Sequence, residues 1–238
     1  MYSLTAITVL LSLASQSLGA PTPKEITARK PALSGSGPTR SGDGSVAAGW
    51  PATSDWLTFD TLWTANVDTI NAACTGAIQN SAAETADIKT GILSAASAYG
   101  VDSRYILATI MQESHGCVRV GTTAGGNANP GLMQDHDGDY NCIGVAAGAC
   151  SATQISGMIN DGTGGTLYKA SGGNGLEQEI AKAATLGGTT AAQDVYIAAR
   201  LYNSGDYSYA AGDDLSNPPD ATPTYCQDIA NRLIGYVF

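Results

Sequence analysis

The chain has 238 residues, with 11 Lys plus Arg against 21 Asp plus Glu and a net charge of −10. An acidic balance of that size argues against nucleic acid as a partner. After the first twenty residues no segment supplies the roughly 18 consecutive apolar residues that a membrane-spanning helix needs.

In chain order, residues 1–20 carry an apolar stretch from Leu4 to Leu13 and end in Gly19 and Ala20, a cleavable secretory signal, although no Lys or Arg precedes the apolar stretch. The expected location of the protein is therefore extracellular. Residues 21–48 are rich in Pro, Gly, Ser, Thr and basic residues without apolar periodicity, the composition of a flexible leader or propeptide. Residues 49–238 suffice for one domain with a single sizeable core. No Asn-x-Ser/Thr acceptor and no heptad pattern is present, so a monomer without N-glycans is expected. Five Cys in a secreted chain imply two disulfides and one thiol. The short loop between Cys142 and Cys150 makes them the first pair, Cys74 with Cys226 the second, and Cys117 is left free or joined to a loop cysteine. Cys-x-x-Cys and His-x-x-x-His spacings are absent, which argues against zinc.

The spacing of Trp56, Phe59, Trp63, Val67 and Ile70 predicts an amphipathic helix ending near Cys74. Ser81 with Glu84 forms a capping box for a second helix that Gly100 stops. A third opens at Asp102 or Ser103 and runs to Gly116. Residues 117–149 change character, with many Gly, Asn and Asp and the β-branched run Val118–Thr123, and predict short strands and turns. Helical patterns return at Ser151–Ile159, at Leu176–Leu186 between glycines, from Thr190 to Gly205, and from Thr224 towards Tyr236. The fold class is α+β, predominantly α, with a small irregular β insertion after the third helix.

On the third helix Glu113 lies seven residues after Ile106 and three after Ile110, which puts a carboxyl on the face expected to be buried. It also lies in the last turn, where the helix dipole disfavours another negative charge. Burial and dipole both favour the neutral acid, the form a general acid needs.

Around it stand Glu113-Ser114-His115-Gly116, then Asn129-Pro130-Gly131-Leu132-Met133-Gln134, then Leu201-Tyr202-Asn203-Ser204-Gly205. In that order these resemble three signatures of the goose-type lysozymes and soluble lytic transglycosylases: a helix ending in Glu-Ser, a Gly-Leu-Met-Gln turn, and a Tyr-Asn-x-Gly at the end of a later helix. The wording is most similar to secreted fungal muramidase-like proteins. The resemblance implies a lysozyme-like fold and cleavage of the β-1,4 bond between N-acetylmuramic acid and N-acetylglucosamine in peptidoglycan. Glu113 would be the acid and Ser114 would support the site. Met133 and Gln134 would line the sugar cleft, while Tyr202 and Asn203 would pack near the Glu.

An inverting glycosidase also needs a second carboxylate to activate water. Asp135 and Asp137 are the candidates, flanking His136, where goose-type lysozymes have their Asp. Lytic transglycosylases need no such base, because the muramic 6-hydroxyl attacks instead. Three alternatives therefore stand beside the hydrolase: a lytic transglycosylase, a chitinase, and a non-catalytic wall-binding or effector protein. Chitin, being neutral, would not repel an acidic protein of pI ≈ 4.4 as peptidoglycan would. Asp135, Asp137 and Asp139 alternate like the start of an EF-hand, but Tyr140 occupies the glycine position and Ala146 the final Glu position, which excludes one. No cofactor or metal is expected. With His115 and His136 as the only histidines, neither beside an evident reactive Ser, no Ser-His-Asp triad can be argued.

Overall fold

The computed structural model describes residues 33–238, except 77, 125, 126, 206–208 and 220. The expected signal and the leader up to residue 32 lie outside the described residues. Among those described, seven helices dominate: α1 (Phe59–Asn71), α2 (Ala82–Tyr99), α3 (Ser103–Glu113), α4 (Ala152–Gly164), α5 (Leu176–Thr185), α6 (Ala191–Ser204) and α7 (Tyr225–Leu233). Four two-residue strands accompany them: β1 (Leu33–Ser34), β2 (Thr123–Ala124), β3 (Ala128–Asn129) and β4 (Tyr236–Val237). The domain is thus mostly α, and no described helix is long and apolar enough to cross a membrane.

Local chemistry fixes most helix starts. Ser81 Oγ accepts from the Glu84 N–H while Glu84 Oε2 accepts from the Ser81 N–H at 2.7 Å, so α2 opens on a reciprocal capping box and closes on Gly100 at φ 67°. Thr190 caps α6 through the Gln193 N–H, and Ser151 caps α4 through the Gln154 N–H. Several helices differ from expectation: α3 stops at Glu113 rather than running to Gly116, and α7 stops at Leu233, leaving Tyr236 to β4. α1 starts at Phe59 because Thr58 caps it, leaving Trp56 outside to donate its indole N–H to Tyr196 Oη at 2.9 Å. α4 runs on to Gly164, past the expected Ile159.

At the centre lies α3, packed against α1, α2 and α7. Every residue from Tyr105 to Met111 is buried, so the helix is enclosed on all sides rather than on the one stripe its periodicity suggested. Its C-terminal carboxyl, Glu113, therefore emerges from a dry interior. The β insertion is smaller than expected: only Thr123–Ala124 pairs, antiparallel, with Ala128–Asn129. The start of the β-branched run is a turn, with Val118 fully buried and its N–H donated to Asn80 Oδ1.

Residues 33–48, expected as part of a flexible leader, are instead laid along the domain. Leu33–Ser34 pairs in parallel with Tyr236–Val237, Asn231 Nδ2 donates to the carbonyls of Ser36 and Pro38, and Leu215 N–H donates to Gly42 O. The glycines there serve close approach. A Cβ on Gly37 would sit 2.8 Å from the Asn231 side chain, and one on Gly44 2.8 Å from Leu215, both at positive φ. A Gly-rich composition signals mobility only when nothing packs on it.

The expected bridge Cys142–Cys150 is present. The second joins Cys74 to Cys117, with Cα atoms 4.9 Å apart, and Cys226 is the buried free thiol. This corrects the expected Cys74–Cys226 pair: the chain leaves α1 and α3 side by side, whereas Cys226 is held inside α7.

Candidate active site

Glu113 closes α3 and lines two clefts at once. One, of about 510 Å³, runs past Ser114, His115, Ile78, Val120 and the Cys74–Cys117 bridge. The other, of about 650 Å³, runs past Gln134, His136, Tyr202, Asn203 and Glu179. A half-buried carboxyl thus stands where two troughs meet. Burial pushes Glu113 up to about 7, against the opposing pull of the Tyr225 hydroxyl, which donates to Glu113 Oε1 at 2.5 Å. At neutral pH a large share of the carboxyl is the neutral acid.

Ser114 is a tie rather than a bystander. Its hydroxyl lies 2.7 Å from Leu132 O and 3.1 Å from Ile110 O, and accepts from the Gly116 N–H. The end of α3 is thereby fastened to the 131–134 turn, which fixes the Glu113 carboxyl relative to the cleft floor. His115 at φ 54° and Gly116 at φ 85° carry the chain out of the helix in left-handed conformations.

Gln134 lines the larger cleft, its amide donating to Gly121 O and Gly131 O and accepting from Thr123, so it braces the turn against β2. Tyr202 donates to Met133 O at 2.9 Å, and Asn203 Oδ1 accepts from the Thr222 N–H at 3.0 Å; both line the same cleft. Met133, expected on the cleft wall, is fully buried and turned onto α4, where a Cβ on Gly162 would come within 2.5 Å of it. Its carbonyl, not its thioether, faces the site residues.

The expected second carboxylates do not line either cleft. Asp135 is buried, and neither of its carboxyl oxygens has a hydrogen-bond partner. Burial first, and then the neighbouring Asp161, push it up to about 8, so it stays largely protonated at neutral pH and is a poor base. Asp137 accepts from Ser171 Oγ through Oδ2 and from the Lys169 ammonium through its carbonyl. Between them it is His136 that reaches the cleft. Among the described residues no group of three or more His, Cys, Asp or Glu side chains is arranged to hold a metal ion.

Two site residues escaped the sequence reading. Tyr225, at the start of α7, reaches Glu113 across a sequence separation of 112 that no local pattern reveals. Glu179 of α5 lines the larger cleft together with Glu113. Its signal was present: it lies three residues after buried Leu176 and four before buried Ala183, a carboxyl on an apolar face just as Glu113 is. Beside Leu167, Leu201 and His136, that cleft is lined by amide and hydroxyl groups, among them Asn127, Asn129 and Asn174, suited to sugar hydroxyls and acetamides.

Removing the Tyr225 hydroxyl deletes a donor that favours the ionised Glu113. Tyr225→Phe is therefore expected to raise the Glu113 pKa and to move the alkaline limb of any Glu113-dependent rate upward by about half a unit or more, measured as a pH–rate profile. An unmoved or downward-shifted limb would contradict the hydrogen bond.

No protein-family model, curated protein or solved structure matches the chain. Fold and site together define a mostly helical domain, closed by two disulfides, whose central helix delivers a protonatable carboxyl to the junction of two clefts.

Proposed function

We propose that the chain is a secreted glycoside-cleaving enzyme of lysozyme-like fold that cuts the β-1,4 bond between N-acetylmuramic acid and N-acetylglucosamine of peptidoglycan, with Glu113 as general acid. The observation that carries this reading is the Glu113 carboxyl itself, half-buried where two clefts meet and shifted up to about 7. A sugar chain laid through both troughs puts a glycosidic oxygen beside it, and a neutral carboxyl there protonates the departing oxygen. The three motifs resembling goose-type lysozymes and lytic transglycosylases converge on this place: Ser114, Gln134, Tyr202 and Asn203 all line one cleft or the other. Two disulfides favour an oxidising compartment.

A lytic transglycosylase is the second reading, favoured because neither Asp135 nor Asp137 lines the two clefts. Chitin remains a substrate to compare, since the cleft amides suit any N-acetylhexosamine polymer and the net charge of −10 does not repel a neutral one. The test is mass spectrometry of fragments released from purified peptidoglycan and from chitin at pH 4 to 6. Reducing-end muropeptides are expected. Products lighter by one water would mean 1,6-anhydro formation. Release from chitin alone, or from neither polymer, would overturn the muramidase reading.

A further inference from the structure

We infer that Glu179 is the second carboxylate of the site, the base that activates the attacking water and makes the reaction an inverting hydrolysis. The inference rests on Glu113 being the acid, and adds the partner that Asp135 and Asp137 do not provide.

Three observations carry it. Glu179 lines the same cleft as Glu113 but comes from a different element, α5, so the two carboxyls are delivered to one space by separate helices. The helix ends are opposite in sense: Glu113 occupies the last turn of α3, whereas Glu179 occupies the first turn of α5, with its N–H bonded to Gly175 O at 3.1 Å. A helix C-terminus favours the neutral acid and a helix N-terminus favours the carboxylate. Burial acts on both carboxyls, Glu179 being 5 % exposed, and the opposite helix ends are what set them apart as acid and base. Finally, Tyr202 lines the same cleft and lies within electrostatic reach of Asp135, Glu113 and Glu179.

The step balances as follows. Water held by the Glu179 carboxylate attacks the anomeric carbon and gives that carboxylate a proton. The bond from the anomeric carbon to O4 breaks as Glu113 protonates the departing oxygen. One water is consumed, and the new hydroxyl arrives on the face opposite the leaving group, so the β-linked substrate yields an α-anomer first.

The experiment uses the full chain on purified peptidoglycan in H₂¹⁸O, with early products examined by mass spectrometry and NMR. The wild type is expected to give reducing ends that carry ¹⁸O in the α configuration. Glu179→Gln is expected to lose at least about 100-fold in rate and the acidic limb of the pH profile, while Glu179→Asp keeps that limb with partial activity. β-configured first products, or 1,6-anhydro ends lacking ¹⁸O, would overturn the assignment without recourse to any variant. A Glu179→Gln protein that retains most of its rate and both pH limbs would do the same. All three of these results leave Glu113 as the acid untouched, whereas an equally active Glu113→Gln would sink the underlying reading instead.

Discussion

Glu113→Gln is expected to lower the rate of peptidoglycan cleavage by roughly 10³-fold, within the range that a positioned general acid contributes. The substitution keeps the shape of the side chain and an oxygen to accept from the Tyr225 hydroxyl, so fold and cleft should survive. What it removes is the proton. The stability effect has a definite sign. Because the folded-state pKa of Glu113 is raised from 4.5 to about 7, the folded protein holds a proton the unfolded chain has already released, and stability falls as pH rises through that window. Gln carries no such dependence. The variant is therefore expected to melt at about the same temperature as wild type near pH 4 and above it at pH 8, as read by calorimetry. A variant that still clears peptidoglycan would show that another group supplies the proton.

The second large effect concerns stability. Glu84, buried in the first turn of α2, accepts from the N–H groups of Ser81 and Cys150 and pairs with the Arg119 guanidinium at 2.5 Å. Burial alone would push its carboxyl up, but Arg119 and the two backbone N–H groups overcome it and hold the pKa at about 2. One side chain thus joins the start of α2, the 142–150 disulfide loop and the wall of the smaller cleft, where Arg119 lies. Glu84→Ala leaves a buried cation with only the carbonyls of Val145 and Ala146, and is expected to cost about 3–5 kcal/mol. For a domain of this size that lowers the melting temperature by roughly 10 °C. Since the depressed pKa gives stability that is complete above 4.5 and lost as pH falls through about 2, the gap between wild type and variant should narrow in strong acid. A cost below about 1 kcal/mol at pH 6 would contradict this account of the pair.

How much of this could be read from the residues follows from how local each signal is. Helix boundaries were legible where a cap announces them, as at Ser81 with Glu84, Gly100, Thr190 and Gly175, because a cap is a contact between near neighbours. Glu113 was legible for a similar reason, being an acid at helical spacing on an apolar face. Glu179 carries the same signature on α5, but no recognisable motif stands beside it in the chain. The remaining differences are all long-range. The 33–48 strap is fastened by Asn231 and Leu215, the Cys74–Cys117 bridge depends on where two helices end, and Met133 turns away from the cleft because Gly162 leaves room on α4. Tyr225 meets Glu113 only once α7 is docked on α3. None of these contacts leaves a period or a spacing in the sequence.

The most direct test of the central claim is a titration of the Glu113 carboxyl carbon by NMR in protein labelled at Glu, with Glu113→Gln used to assign the resonance. An apparent pKa near 7 is expected, rising further in Tyr225→Phe. A value near 4.5, unchanged by that substitution, would mean that the carboxyl is open to water and that the acid proposed here does not exist.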